Sequence, residues 1–135
     1  VEPYANPFRT YPLAQDYEKF KALFENRGVD CYILNTGEFM DKKVTKEITL
    51  GSLEKIIEGK ASFKPFAGLE SVGYLPVEGF EPDLNNETYR KRFVARMKDR
   101  VDYIASCKEK RGGFDALPDE ALASMEAVLK KIQSL

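Results

Sequence analysis

The chain has 135 residues, 43% hydrophobic and 32% charged, the size and composition of one soluble globular domain. Its 21 basic and 22 acidic residues leave a formal charge of −1, which gives no net positive field for nucleic acid or an anionic membrane. No apolar run approaches the ~20 residues of a membrane-spanning helix, and the absence of histidine excludes a Ser-His-Asp or Cys-His nucleophile and a Cys/His zinc site within these residues.

Val1 to Pro12 holds three prolines and two tyrosines and is expected to be an extended arm. This start is polar, unlike a signal peptide, and a chain that opens on Val rather than Met is expected to be a piece of a longer one. A helix is predicted from about Ala14 to Arg27, because Leu13, Tyr17, Phe20 and Phe24 recur on one helical face. Gly28 stands where a helix C-terminus favours a residue tolerant of positive φ.

Cys31-Tyr32-Ile33-Leu34 is a short unbroken apolar run, expected to be a strand covered on both faces and ended by Asn35-Thr36-Gly37. A helix leading straight into such a strand is an α/β pattern. Lys43 to Glu47 is expected as a short exposed strand. Thr49 is expected to cap a helix whose buried stripe is Leu53, Ile56 and Ile57, closed by Gly59. Cys31 and Cys107 lack metal-ligand spacing and read as buried, reduced thiols, which fits a cytoplasmic protein.

Phe63 to Pro82 is broken every few residues by proline or glycine but carries Phe66, Val72, Tyr74, Leu75, Val77 and Phe80. It is too apolar for a free linker and is expected to be irregular, with one or two short strands. A long helix capped by Asn85 or Asn86 is predicted to reach about Lys110, with Tyr89, Phe93, Met97, Val101 and Ile104 on its buried face. Gly112-Gly113 stops it. Pro118 opens a last helix as its first residue, with the stripe Leu122, Met125, Val128, Leu129 and Ile132. The whole reads as an α/β domain or subdomain over residues 1–135, with a few short strands packed with about four helices.

Chemistry-bearing groups are sparse. No G-x-x-x-x-G-K-[ST] or G-x-G-x-x-G phosphate loop occurs. The carboxylate pairs Glu78/Glu81, Asp99/Asp102 and Asp119/Glu120 read as solvated surface charge. Arg90 to Arg100 interleaves aromatics with basic residues, and the solvated face of an amphipathic helix accounts for it better than a nucleic-acid helix. Lys42-Lys43 beside Thr45 and Thr49 has two readings: contacts to an anionic or ribose-bearing ligand, or an exposed basic pair that protects an edge strand.

The run Tyr32-Ile33-Leu34-Asn35-Thr36-Gly37, followed by Lys43-Val44-Thr45 and Thr49, resembles the C-terminal part of ATP-dependent phosphoenolpyruvate carboxykinases. In that family a helix leads into an apolar strand ending in Asn-Thr-Gly. A loop, a basic residue, an aliphatic residue and Ser or Thr follow, and then a Thr opens a helix. Tyr11-Pro12 and Tyr17 stand where the family often has His-Pro and Tyr. The family loop is richer in glycine, and arginine is usual where this chain has Lys43. The resemblance implies that Lys43, Val44 and Thr49 edge an ATP pocket, with the basic residue beside the adenine and the Thr hydroxyl near base or ribose.

It also implies that the phosphate loop, the His and Asp metal ligands, the catalytic Lys and the substrate Arg lie in the remainder of a parent polypeptide. Any divalent metal would then be held outside this chain, which supplies no catalytic residue of its own. The implied parent reaction converts oxaloacetate and ATP to phosphoenolpyruvate, CO2 and ADP. The alternative is a non-enzymatic α/β interaction module or a decayed relative. No nucleic acid or membrane partner is expected.

Overall fold

The computed structural model describes residues 8–135. Its elements are α1 (Leu13–Arg27), β1 (Glu38–Phe39), β2 (Lys42–Lys43), α2 (Lys46–Ile57), β3 (Lys64–Phe66), β4 (Leu69–Tyr74), α3 (Glu87–Ser106), a 3-10 turn (Lys110–Gly113) and α4 (Asp119–Gln133). Among the described residues this is a mixed α/β fold with four helices and two small antiparallel two-stranded sheets, β1-β2 and β3-β4. The chain divides into two compact units, one of residues up to Cys31 with Lys91–Leu135, the other Tyr32–Arg90. Of the arm expected over Val1 to Pro12, residues 1–7 lie outside the described residues, and Phe8 to Pro12 belong to no helix or strand.

The first unit is built by helical periodicity. α1 ends at Gly28, whose φ of 59° supplies the left-handed stop. Its core gathers Leu13 of α1, Ile104 of α3, Leu117, and Ala121 of α4, with Tyr17, Tyr103, Leu122 and Met125 packed against it. The start of α1 is tied down by its Leu13 N–H, which donates to the Phe114 carbonyl at 3.0 Å. Lys21 Nζ reaches Glu120 Oε1 at 2.8 Å between α1 and α4. Pro118 is the N-cap of α4 rather than its first residue, one position from the sequence expectation. The stripe of α4 runs as expected, and Ile132 is completely buried.

α3 begins as the sequence indicates, with Asn86 Oδ1 accepting from the Tyr89 N–H at 3.0 Å. It stops at Ser106, before the expected Lys110. A turn and the 3-10 segment follow, in which Arg111, Gly112 and Gly113 all have positive φ.

In the second unit the sequence reading fails at its most apolar point. Cys31 to Leu34 is not a strand: it pairs with no strand among the described residues, and Ile33 is 95% exposed. The run is apolar enough to be a strand, but a strand needs a partner, and each of the two small sheets pairs two other segments with each other. Tyr32 is stacked on Phe63 at 5.6 Å instead. Cys31 is likewise exposed, against the expectation of a buried thiol, whereas Cys107 is buried.

The expected strand at Lys43 to Glu47 is shorter and shifted. Lys42–Lys43 pairs with Glu38–Phe39, and the chain then enters α2. Phe63 to Pro82 matches its reading. β3 and β4 form a hairpin turned through Ala67 and Gly68, both at positive φ. The expected buried stripe of α2 is only partly covered, and Ile57 is 83% exposed.

Candidate functional site

A cleft of about 590 Å³ lies within the second unit, lined by Thr36, Lys43, Val44, Thr45, Lys46, Glu47, Thr49 and Leu50. That volume falls inside the roughly 300–1,000 Å³ of small-molecule sites. Local chemistry explains each wall. Asn35 Oδ1 accepts from the Gly37 N–H at 3.0 Å, and Asn35 Nδ2 donates to the Glu38 carbonyl at 3.0 Å. This side-chain turn aims the chain into β1. Met40 and Asp41, with φ of 47° and 68°, make the tight turn that a two-residue hairpin requires.

Side chains alternate across the hairpin. Phe39 and Lys42 form one cross-strand pair, and Glu38 and Lys43 form the next. Phe39 packs 5.7 Å from Tyr89 and 6.2 Å from Phe80. Lys42 Nζ reaches the Gly79 carbonyl at 3.4 Å. The face opposite this anchored one carries Lys43, with Glu38 directly across from it. Val44 follows, buried, its N–H donating to the Gly37 carbonyl at 2.8 Å.

Thr45, not Thr49, is the N-cap of α2. Two threonines one helical turn apart compete for this role. The earlier one prevails because Lys46-Glu47-Ile48 can already be helical and Glu47 favours the positive end of the helix. The Thr45 hydroxyl accepts from the Ile48 N–H at 3.5 Å. Thr49 lies inside the first turn, its hydroxyl donating to the Thr45 carbonyl at 3.2 Å. Its oxygen lone pairs remain able to accept from a ligand.

The Glu47 carboxyl is held below its ordinary value of 4.5 by its own backbone N–H and then by the Thr45 hydroxyl, against a smaller opposing desolvation. A depressed carboxylate pKa stabilises the fold above the ordinary carboxylate range, and that stabilisation is lost as pH falls through the folded value. Thr45→Ala removes the side-chain cap of α2 and is expected to cost about 1 kcal/mol in urea unfolding. An NMR pH titration of the same variant is expected to return the Glu47 midpoint upward toward 4.5, while Thr45→Ser leaves both near wild type.

The cleft thus brings together all three residues singled out in the sequence, Lys43, Val44 and Thr49. They differ in what they offer. Lys43 presents an ammonium balanced by Glu38, Thr49 a hydroxyl acceptor, and Val44 an apolar floor whose N–H is already engaged. Thr45, which the sequence places beside them, lines it too; Thr36, Lys46, Glu47 and Leu50 complete the lining, and the sequence does not single them out as ligand residues. Their only signal is position, since each is within a few residues of the hairpin or on the first turns of α2. The lining holds hydroxyls, ammonium groups and one carboxylate between the apolar walls of Val44 and Leu50, a set suited to binding a polar ring system. Its one hydroxyl–carboxylate contact, Thr45 with Glu47, belongs to the cap of α2. Among the described residues no three His, Cys, Asp or Glu side chains gather into a metal site.

No helix among the described residues is long and apolar enough to cross a membrane. Comparison of the chain with protein-family models, with curated proteins and with solved structures finds no match in any of the three.

Proposed function

We propose that the cleft of the second unit receives the base and ribose end of ATP, as one wall of the nucleotide site of a protein similar to ATP-dependent phosphoenolpyruvate carboxykinases. The observation that carries this reading is that Lys43, Val44 and Thr49, from the end of β2 and the first turn of α2, line one concavity of ligand size. The near balance of charge in and beside the cleft, Lys43 and Lys46 against Glu38 and Glu47, favours the uncharged nucleoside end over the phosphates. The chain is not catalytic alone. In this reading the remaining polypeptide of a cytoplasmic parent holds the phosphates, the divalent metal and oxaloacetate.

Calorimetry on the protein that carries this chain at full length tests the proposal. Lys43→Ala and Thr49→Val are each expected to weaken ATP binding about fivefold or more, the ~1 kcal/mol of one hydrogen bond. Unchanged affinity in both variants overturns it.

A second reading, a non-enzymatic interaction module, is favoured by the exposed apolar run, where Ile33 is 95% and Tyr32 46% exposed. Light scattering decides its weight: a clean monomer at high concentration counts against it.

A further inference from the structure

We propose that the first unit holds a binding site for a small carboxylate anion, built by Arg9 and Arg111 around the Phe114 ring. It is built from residues of the first unit alone and stands or falls without the ATP cleft. The Arg9 side chain is only 5% exposed. Its Nη2 donates to Asp115 Oδ1, yet its Nε and Nη1 are buried and meet no hydrogen-bond partner among the described residues. Buried donors of a charged group are almost always paired in folded proteins, so two orphans on one guanidinium ask for an acceptor.

The surroundings say which acceptor. Arg9 sits 5.0 Å and Arg111 4.4 Å from the Phe114 ring centroid, and Arg111 Nη1 lies 3.6 Å from the same Asp115 oxygen. Two guanidiniums therefore share one carboxylate, which leaves one positive charge uncompensated. A monocarboxylate closes that charge, whereas a phosphate dianion overshoots it. The Phe114 ring offers apolar surface to a short carbon tail. The Arg111 side chain beside it is 63% exposed.

The test follows the Arg9 Nε–H resonance of the full chain by 1H–15N NMR while sodium acetate or inorganic phosphate is added at constant ionic strength. A saturable shift with acetate is expected, tighter than with phosphate, and weakened about tenfold or more by Arg111→Ala, as for one charge-assisted hydrogen bond. Arg111 is exposed, so this variant keeps its fold, and near-UV circular dichroism verifies that. Absence of a saturable shift, tighter binding of phosphate than of acetate, or an unchanged response in Arg111→Ala each overturns the proposal.

Discussion

Ile104→Ala is expected to destabilise the first unit by about 2–5 kcal/mol, whereas Ile33→Ala is expected to change stability by less than about 0.5 kcal/mol. The two residues look alike in sequence, each an isoleucine in an apolar context. In the fold Ile104 is 3% exposed and at the centre of a cluster with Leu13, Leu117 and Ala121, while Ile33 is 95% exposed. Truncating Ile104 removes apolar atoms from a site where helices from both ends of the unit meet, and it leaves a cavity the neighbours can close only partly. The buried core is small, so one such loss is a large fraction of the ~5–15 kcal/mol that folded domains retain. Urea unfolding followed by circular dichroism reads both variants. Equal losses would mean that Ile33 is buried after all and that Cys31 to Leu34 is the covered strand the sequence suggests.

The second large effect is expected at Asp115. Removing it by Asp115→Ala leaves the buried Arg9 guanidinium without its carboxylate, and breaking a buried pair from one side costs about 3–5 kcal/mol. Asp115 is 23% exposed and also faces Arg111, so the lower end of that range is expected. Arg9→Met should cost less. It removes the buried charge together with its two orphan donors and fills the space with an apolar chain of similar length, giving up the contact with Phe114. Placed in the Asp115→Ala background, Arg9→Met is expected to restore part of the lost stability. A loss below about 1 kcal/mol for Asp115→Ala, the range of solvent-exposed pairs, would show that Arg9 is hydrated rather than buried.

What could be read from the sequence follows from the range of the forces involved. α1, α3 and α4 were legible because their apolar residues recur with the helical period and their ends carry local signals, such as Gly28 and Asn86. The broken segment from Phe63 was legible as short strands because its turns are local. Cys31 to Leu34 was misread because a short apolar run shows that a segment can be a strand, not that another strand lies alongside it. Thr45 and Thr49 lie one helical turn apart and offer nearly the same cap, so the choice between them shifted the start of α2 by a turn. The cleft residues were partly legible, since Lys43, Val44 and Thr49 are close in sequence and fall into one hairpin-helix unit. The Arg9–Asp115 pair was not legible, because 106 positions separate the partners and only the packed unit brings them together.

The central claim is that the nucleotide meets this chain at the hairpin and the first turns of α2. Photolabelling of the full-length protein with 8-azido-ATP, followed by peptide mass spectrometry, tests it most directly. Label on a peptide between Thr36 and Leu50, reduced by excess ATP and by Thr49→Val, is the predicted result. Label that spares this stretch, or that excess ATP does not displace, would contradict it.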